Sequence, residues 1–132
     1  MYKIIFKTGG IERARVDRYG SVGIGTKNPG SWKLAVNGQI RAKEVKVETG
    51  WSDFVFKSNY VLPTLAEVEA YINEKGHLKD IPSAEEVEEN GIFLGEMDSK
   101  LLRKIEELTL YIIEQNKRIE NLEKKPNQYD KY

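Results

Sequence analysis

Residues 101–122 read LLRKIEELTLYIIEQNKRIENL. Leu101, Ile105, Leu108, Ile112, Gln115, Ile119 and Leu122 follow one another at alternating steps of four and three. That period of 3.5 keeps one apolar seam on one side of a helix and predicts a left-handed coiled coil. Ile105, Ile112 and Ile119 take the a positions, and Leu101, Leu108, Gln115 and Leu122 the d positions. Ile at a with Leu at d favours parallel dimers by side-chain shape. Gln115 complicates that rule, because a polar d residue fixes register at a cost in stability and three glutamines around an axis can bond to each other. The other reading is an amphipathic helix packed on its own domain. A single long helix beside a small core would, however, leave its stripe in water.

Working outward, the helical run extends from about Glu96 to Lys125 without glycine or proline, and Pro126 ends it. Leu110, Tyr111 and Ile113 lie off the seam and predict a second apolar neighbour for the middle of the helix, supplied by two short helices upstream. Thr64 with Glu67 and Ser83 with Glu86 have capping-box spacing, and Gly76 and Asn90-Gly91 are stop signals. Residues 1–62 differ: they hold eight of the eleven glycines and short alternating apolar pairs. Tyr2, Ile4 and Phe6 alternate, as do Ala14 and Val16, Val22 and Ile24, and Leu34 and Val36. Asn37-Gly38 then predicts a type I′ hairpin into Ile40 and Ala42, with Val45 and Val47 beyond. Gly20, Gly23, Gly25, Pro29, Asn37 and Gly38 are read as turn residues. The expected organisation is a β-rich stem over 1–50, a junction with short capped helices over 51–93, a coiled-coil helix over 94–125 and a flexible tail over 126–132. The fold class is α+β. Strands of about four residues do not close a core in one chain, but several chains can share one.

Composition excludes several chemistries. With no cysteine, disulfides, zinc–thiolate sites and cysteine nucleophiles are absent. Lys plus Arg equals Asp plus Glu at 21 each, so the whole chain carries no net charge and no nucleic-acid partner is expected. No run has the length of a membrane span, so no membrane insertion is expected. MYKIIFKTGG has too short an apolar run for a signal peptide, so a chain starting at Met1 is expected to be made in the cytoplasm without one. Gly20-Ser-Val-Gly-Ile-Gly25 has P-loop spacing, but Thr26-Lys27 reverses the required order and Asn28-Pro29-Gly30 breaks the helix that should follow. His77 is the only histidine, and Glu85, Glu86, Glu88 and Glu89 lack the pattern of a calcium loop. No cofactor and no metal ion is expected. One constellation stays in play: Ser52, Asp53 and Lys57, in which a lysine of lowered pKa would activate the serine. Trp32, Trp51, Tyr129 and Tyr132 are candidates for stacking on sugars.

Residues 12–51, ERARVDRYGSVGIGTKNPGSWKLAVNGQIRAKEVKVETGW, resemble the repeat-like stem of phage tail-fibre proteins and of fibre-like proteins of Bacteroidetes and their phages. That pattern runs Gly-Asn-Val-Gly-Ile-Gly-Thr, then Asn-Pro, then Lys-Leu-x-Val-Asn-Gly-x-Ile-Arg-Ala; here Ser21 stands where Asn is usual. Residues 51–125 resemble the C-terminal module after such stems, with Lys79-Asp80 in place of an expected Pro-Gly. The resemblance implies an elongated homotrimer, a β stem wound on one axis and a helical tip with a parallel coiled coil. It implies a structural, non-enzymatic component of a virion or extracellular particle, joined to an upstream fibre shaft and used for attachment to a cell surface through a glycan or protein receptor. The module is also similar, more distantly, to the intramolecular chaperone of tailspikes and endosialidases, which opens with Ser-Asp-x-x-x-Lys and cuts itself at the serine. Ser52, Asp53 and Lys57 match those positions, although Val55-Phe56 replaces the usual Arg-Leu. Self-cleaving chaperone and glycan-binding module stand as the alternative functions.

Overall fold

The computed structural model describes residues 2–124. The protein is α+β: a four-stranded sheet followed by three helices. The strands are β1 (Ile4–Thr8), β2 (Ile11–Val16), β3 (Val22–Ile24) and β4 (Leu34–Val36); the helices are α1 (Leu65–Lys75), α2 (Ala84–Asn90) and α3 (Leu94–Glu123). The described residues form two compact units, one ending at Val45 and the other starting at Lys46.

In the first unit the strands lie in the order β1-β2-β3-β4. β1 and β2 form an antiparallel hairpin with a bulge between Phe6 and Lys7, and Thr8 faces Ile11 across the turn. Gly9 and Gly10 make that turn with φ of 57° and 75°, the paired positive values of a type I′ turn that glycine adopts at little cost. The Asn37-Gly38 hairpin expected from sequence does not form within the chain. Asp80 is the only non-glycine residue with positive φ among the described residues, so Asn37 does not take the first type I′ position. Its N–H donates instead to Ile24 C=O at 2.9 Å and its side-chain amide to Gly25 C=O at 3.3 Å. These bonds extend the ladder in which β4 runs parallel to β3. Ile40, Ala42, Val45 and Val47 follow as non-strand, exposed residues.

Register sorts the side chains by face. Ile4 stands opposite Val16, Val16 opposite Val22 and Val22 opposite Leu34; Phe6, Ala14, Ile24 and Val36 form a second row. Alternation along the strands places these eight apolar residues on one face. Nothing in the unit covers that face fully: Ile4, Phe6, Ile24 and Leu34 are exposed.

In the second unit the local signals are realised. Thr64 and Ser83 close reciprocal capping boxes with Glu67 and Glu86, and Gly76 ends α1 in the left-handed conformation at φ 78°. Lys75 in the last turn of α1 complements its dipole. α3 begins at Leu94, two residues before the glycine-free run, with no side-chain cap from Phe93. Gly95 is therefore inside the first turn and not a breaker. A Cβ there would lie 2.5 Å from Thr49 Cγ2 and 2.8 Å from Val47 Cγ1. This close approach ties Val47 and Thr49 to α3 within the unit that starts at Lys46. Gly95→Ala is expected to lower the melting temperature, at a cost of about 1–3 kcal/mol for overpacking two stiff β-branched side chains. Helix propensity alone favours Ala by about 1 kcal/mol, so a raised melting temperature would show that the segment yields freely.

Candidate functional site

α3 is about 45 Å long and has two opposed faces. Taking Arg103 as zero and about 100° per residue, Gly95, Ser99, Glu107 and Tyr111 fall within about 80° of it. Leu101, Ile105, Leu108, Ile112, Gln115, Ile119 and Leu122 fall between about 100° and 200°, on the far side.

The first face is occupied by the chain itself. Residues 47–63 run along it as a strap, parallel to the helix. Val47 and Thr49 meet Gly95. Ser99 Oγ donates to Ser52 Oγ at 2.7 Å and accepts from Ser52 N–H at 2.8 Å. Arg103 lies 5.3 Å over the Phe54 ring and reaches the Tyr60 hydroxyl. Tyr60 donates to Glu107, and Tyr111 donates to Pro63 C=O at 2.6 Å. The stripe Gly95, Ser99, Arg103, Glu107, Tyr111 has steps of four, the spacing of facing residues on a helix.

Charge gathers at the middle of the strap. Glu107, 6% exposed, accepts from Tyr60 and pairs with Lys104 at 2.9 Å and Arg103 at 3.4 Å. Arg103 also pairs with Asp80 at 3.3 Å. Burial pushes the Glu107 carboxyl up, but the bonds from Tyr60 and Lys104 and the two nearby cations outweigh it and hold the group below the ordinary carboxylate range. Burial, then the bond to Glu107, push the Tyr60 hydroxyl up. Asp80 sits at φ 67° as the third residue of a turn closed by Ile81 N–H to Leu78 C=O. A positive φ at that position is the type II requirement that Pro-Gly meets best. Lys79-Asp80 meets it here with an aspartate, and the Arg103 ion pair helps hold that residue in the left-handed region.

Between strap, α1 and α3 lies an open cavity of about 500 Å³, lined by Pro63, Val68, Tyr71, Ile72, Leu108 and Tyr111 among others. The second neighbour expected for the off-seam residues is thus the strap and α1: Tyr111 reaches Pro63, Leu110 is half-buried and Ile113 stays exposed.

Apart from Leu108 at the cavity's edge, the second face is bare. Every seam residue is exposed, from 45% at Leu101 to 67% at Ile112, and Gln115 with them. Across all described residues Val55, 2% exposed, and Pro29 are the only buried aliphatic or aromatic side chains.

The other sequence candidates fall as follows. Ser52 is bonded to Ser99, and no hydrogen bond or ion pair of the described residues joins it to Asp53 or Lys57. Gly20, Gly25 and Gly30 take positive φ at turns. Gly23, expected at a turn, lies in β3, where a Cβ would be 2.5 Å from Thr26 O. Pro29 is buried and accepts from Trp32 N–H through its carbonyl. The amides that a phosphate cradle would need are taken up: Gly20 donates to Asp17 C=O, Gly25 to Arg13 C=O, Asn28 to Thr26 Oγ1 and Gly30 to Asn28 Oδ1. No cluster of three metal-ligating side chains occurs among the described residues. Trp32 and Trp51 are exposed; Tyr129, Tyr132 and the whole 126–132 segment lie outside the described residues. Sequence reasoning missed Tyr60, Asp80, Arg103 and Glu107. The step-four stripe opposite the seam, opening with the small residues Gly95 and Ser99, was the available signal for that face. Comparison with family models, curated proteins and solved structures gave no match.

Proposed function

We propose that this chain is a structural fibre protein whose work is to trimerise and set register through α3, forming the tip module of a fibre that attaches to a cell surface. The observation that carries this reading is the division of α3. Its polar face is held by its own strap, while the opposite face keeps an apolar seam of period 3.5 in water. A helix that served only its own domain would turn its apolar side inward. The exposed apolar face of the sheet adds a second surface that a lone chain leaves wet. Three copies, each giving one seam and one sheet face, bury both; the stem resemblance of residues 12–51 favours three over two. On this reading the protein works in a virion or extracellular particle, joined to an upstream shaft, and catalyses nothing. Self-cleavage at Ser52 gains no support from the bond to Ser99. Light scattering of the purified chain is expected to give three times its 15.2 kDa mass. A stable monomer at micromolar concentration sinks the reading, and twice the mass replaces the trimer with the parallel dimer.

A further inference from the structure

The zero net charge of the chain hides a strong division. Residues 1–45 hold nine Lys and Arg against three Asp and Glu, and residues 46–132 hold 12 against 18. The basic side chains of the first unit are also sorted by face. Ile4, Phe6, Ala14, Val16 and their partners occupy one side of the sheet; alternation puts Lys3, Lys7, Arg13, Arg15 and Lys33 on the other. Lys27 joins them, since Arg15 Nη1 donates to its carbonyl at 3.0 Å. Glu12, which faces Lys7 across the β1–β2 bulge, is held by Arg15 at 2.8 Å. The Arg15 guanidinium keeps the Glu12 carboxyl below its ordinary range, and Lys27 and Lys3 add to the effect from close by. Arg13 bonds Thr8 Oγ1 and Lys33 bonds Tyr19 C=O, both neutral oxygens that leave the charge uncancelled. Six cations thus gather around two carboxylates, Glu12 and Asp17, the second of which also acts on the Arg15 guanidinium, over a patch about 14 Å wide, the span of four strands.

We infer that this basic face of the sheet is a binding surface for an anionic polysaccharide. Its floor decides between classes of polyanion. Between the cations the strands present Ile5, Gly23 and Ala35, so no aromatic ring stands on the sheet floor; the exposed Tyr19 and Trp32 lie in the β2–β3 and β3–β4 connections. Sheets that bind single-stranded nucleic acid set rings among their cations for bases to stack on, and duplex readout needs a helix or ribbon to enter a groove. A sulfated or uronate-bearing polymer needs neither, because charge alone holds it. The apolar face is on the opposite side, so the same sheet serves assembly and adhesion without competition between them. The inference concerns one chain and does not depend on how many copies assemble.

The test is binding of the full chain to immobilised dextran sulfate, with neutral dextran and a single-stranded DNA oligonucleotide as comparisons. Binding to dextran sulfate is expected to weaken roughly tenfold or more between 50 and 200 mM salt, as ion release requires. Lys3→Gln, Lys7→Gln and Lys27→Gln together, all exposed and outside any described ion pair, are expected to lower affinity roughly tenfold or more. Lys117→Gln, Arg118→Gln and Lys124→Gln together, an equal loss of charge at the end of α3, are expected to leave it unaltered. Three results would overturn the inference: equal retention on neutral dextran, no loss in the triple variant, or the oligonucleotide binding as tightly as dextran sulfate at 150 mM salt.

Discussion

Ile112→Lys is expected to abolish the proposed assembly: the variant should scatter light as a single chain at concentrations where the parent is expected to give three times that mass. Ile112 sits at the centre of the seam and is its most exposed apolar residue. Substitution removes the burial of one isoleucine, about 2–3 kcal/mol, and places an ammonium where no acid partner exists on the seam. Burying that charge unpaired costs several kcal/mol more, and symmetry repeats the loss in every copy. Glu114→Lys adds positive charge on the opposite side of the helix. It is expected to assemble like the parent, because exposed surface changes move stability by about 0.5 kcal/mol or less. If Ile112→Lys still gave the full mass, assembly would have to run through the sheet face alone.

Glu107→Ala has the second largest expected effect, and its signature is local. It removes the acceptor shared by Tyr60, Arg103 and Lys104, leaving a half-buried hydroxyl unmatched and two cations with Asp80 as their remaining close acid. Breaking a buried charge pair from one side costs about 3 kcal/mol or more. Amide hydrogen exchange is expected to rise over residues 54–63, which this clasp holds to α3. Protection unchanged there would show that Gly95 and Ser99 alone keep the strap in place. The clasp also fixes a pH window. Glu107 is depressed in the fold, so its contribution is full above the unfolded carboxylate range and is lost as pH falls through the folded value. Tyr60 is raised, so its contribution is full below the ordinary phenol range and is lost as pH climbs through the folded value. Melting temperature is expected to be flat between these limits, and Glu107→Gln should flatten its acid flank.

What could be read directly from the sequence was local. Capping boxes join residues three apart, and the stop at Gly76 rests on one residue's conformation. The seam is visible because its period repeats without reference to anything distant. The strap was not visible, since Ser52–Ser99, Tyr60–Glu107 and Tyr111–Pro63 join residues 47 or 48 apart. The Asn37-Gly38 hairpin failed for a related reason. The dipeptide has strong turn chemistry, but Asn37 bonds Ile24 and Gly25, and a competing parallel ladder outweighs a local preference. Gly23 was misassigned because a glycine required by close approach and a glycine required by positive φ are the same letter. The charge division was legible but masked by summing over the whole chain.

The two opposed faces of α3 also separate two kinds of inherited damage. A fault on the strap face, at Gly95 or Glu107, is felt inside the chain that carries it, and an intact copy made alongside folds normally. On the proposed assembly, a mild fault on the seam face, at Leu122 for example, leaves its carrier folded enough to be recruited and so degrades the copies it joins. Strap lesions should therefore behave as recessive and mild seam lesions as dominant, although both lie on one helix and some only a single turn apart.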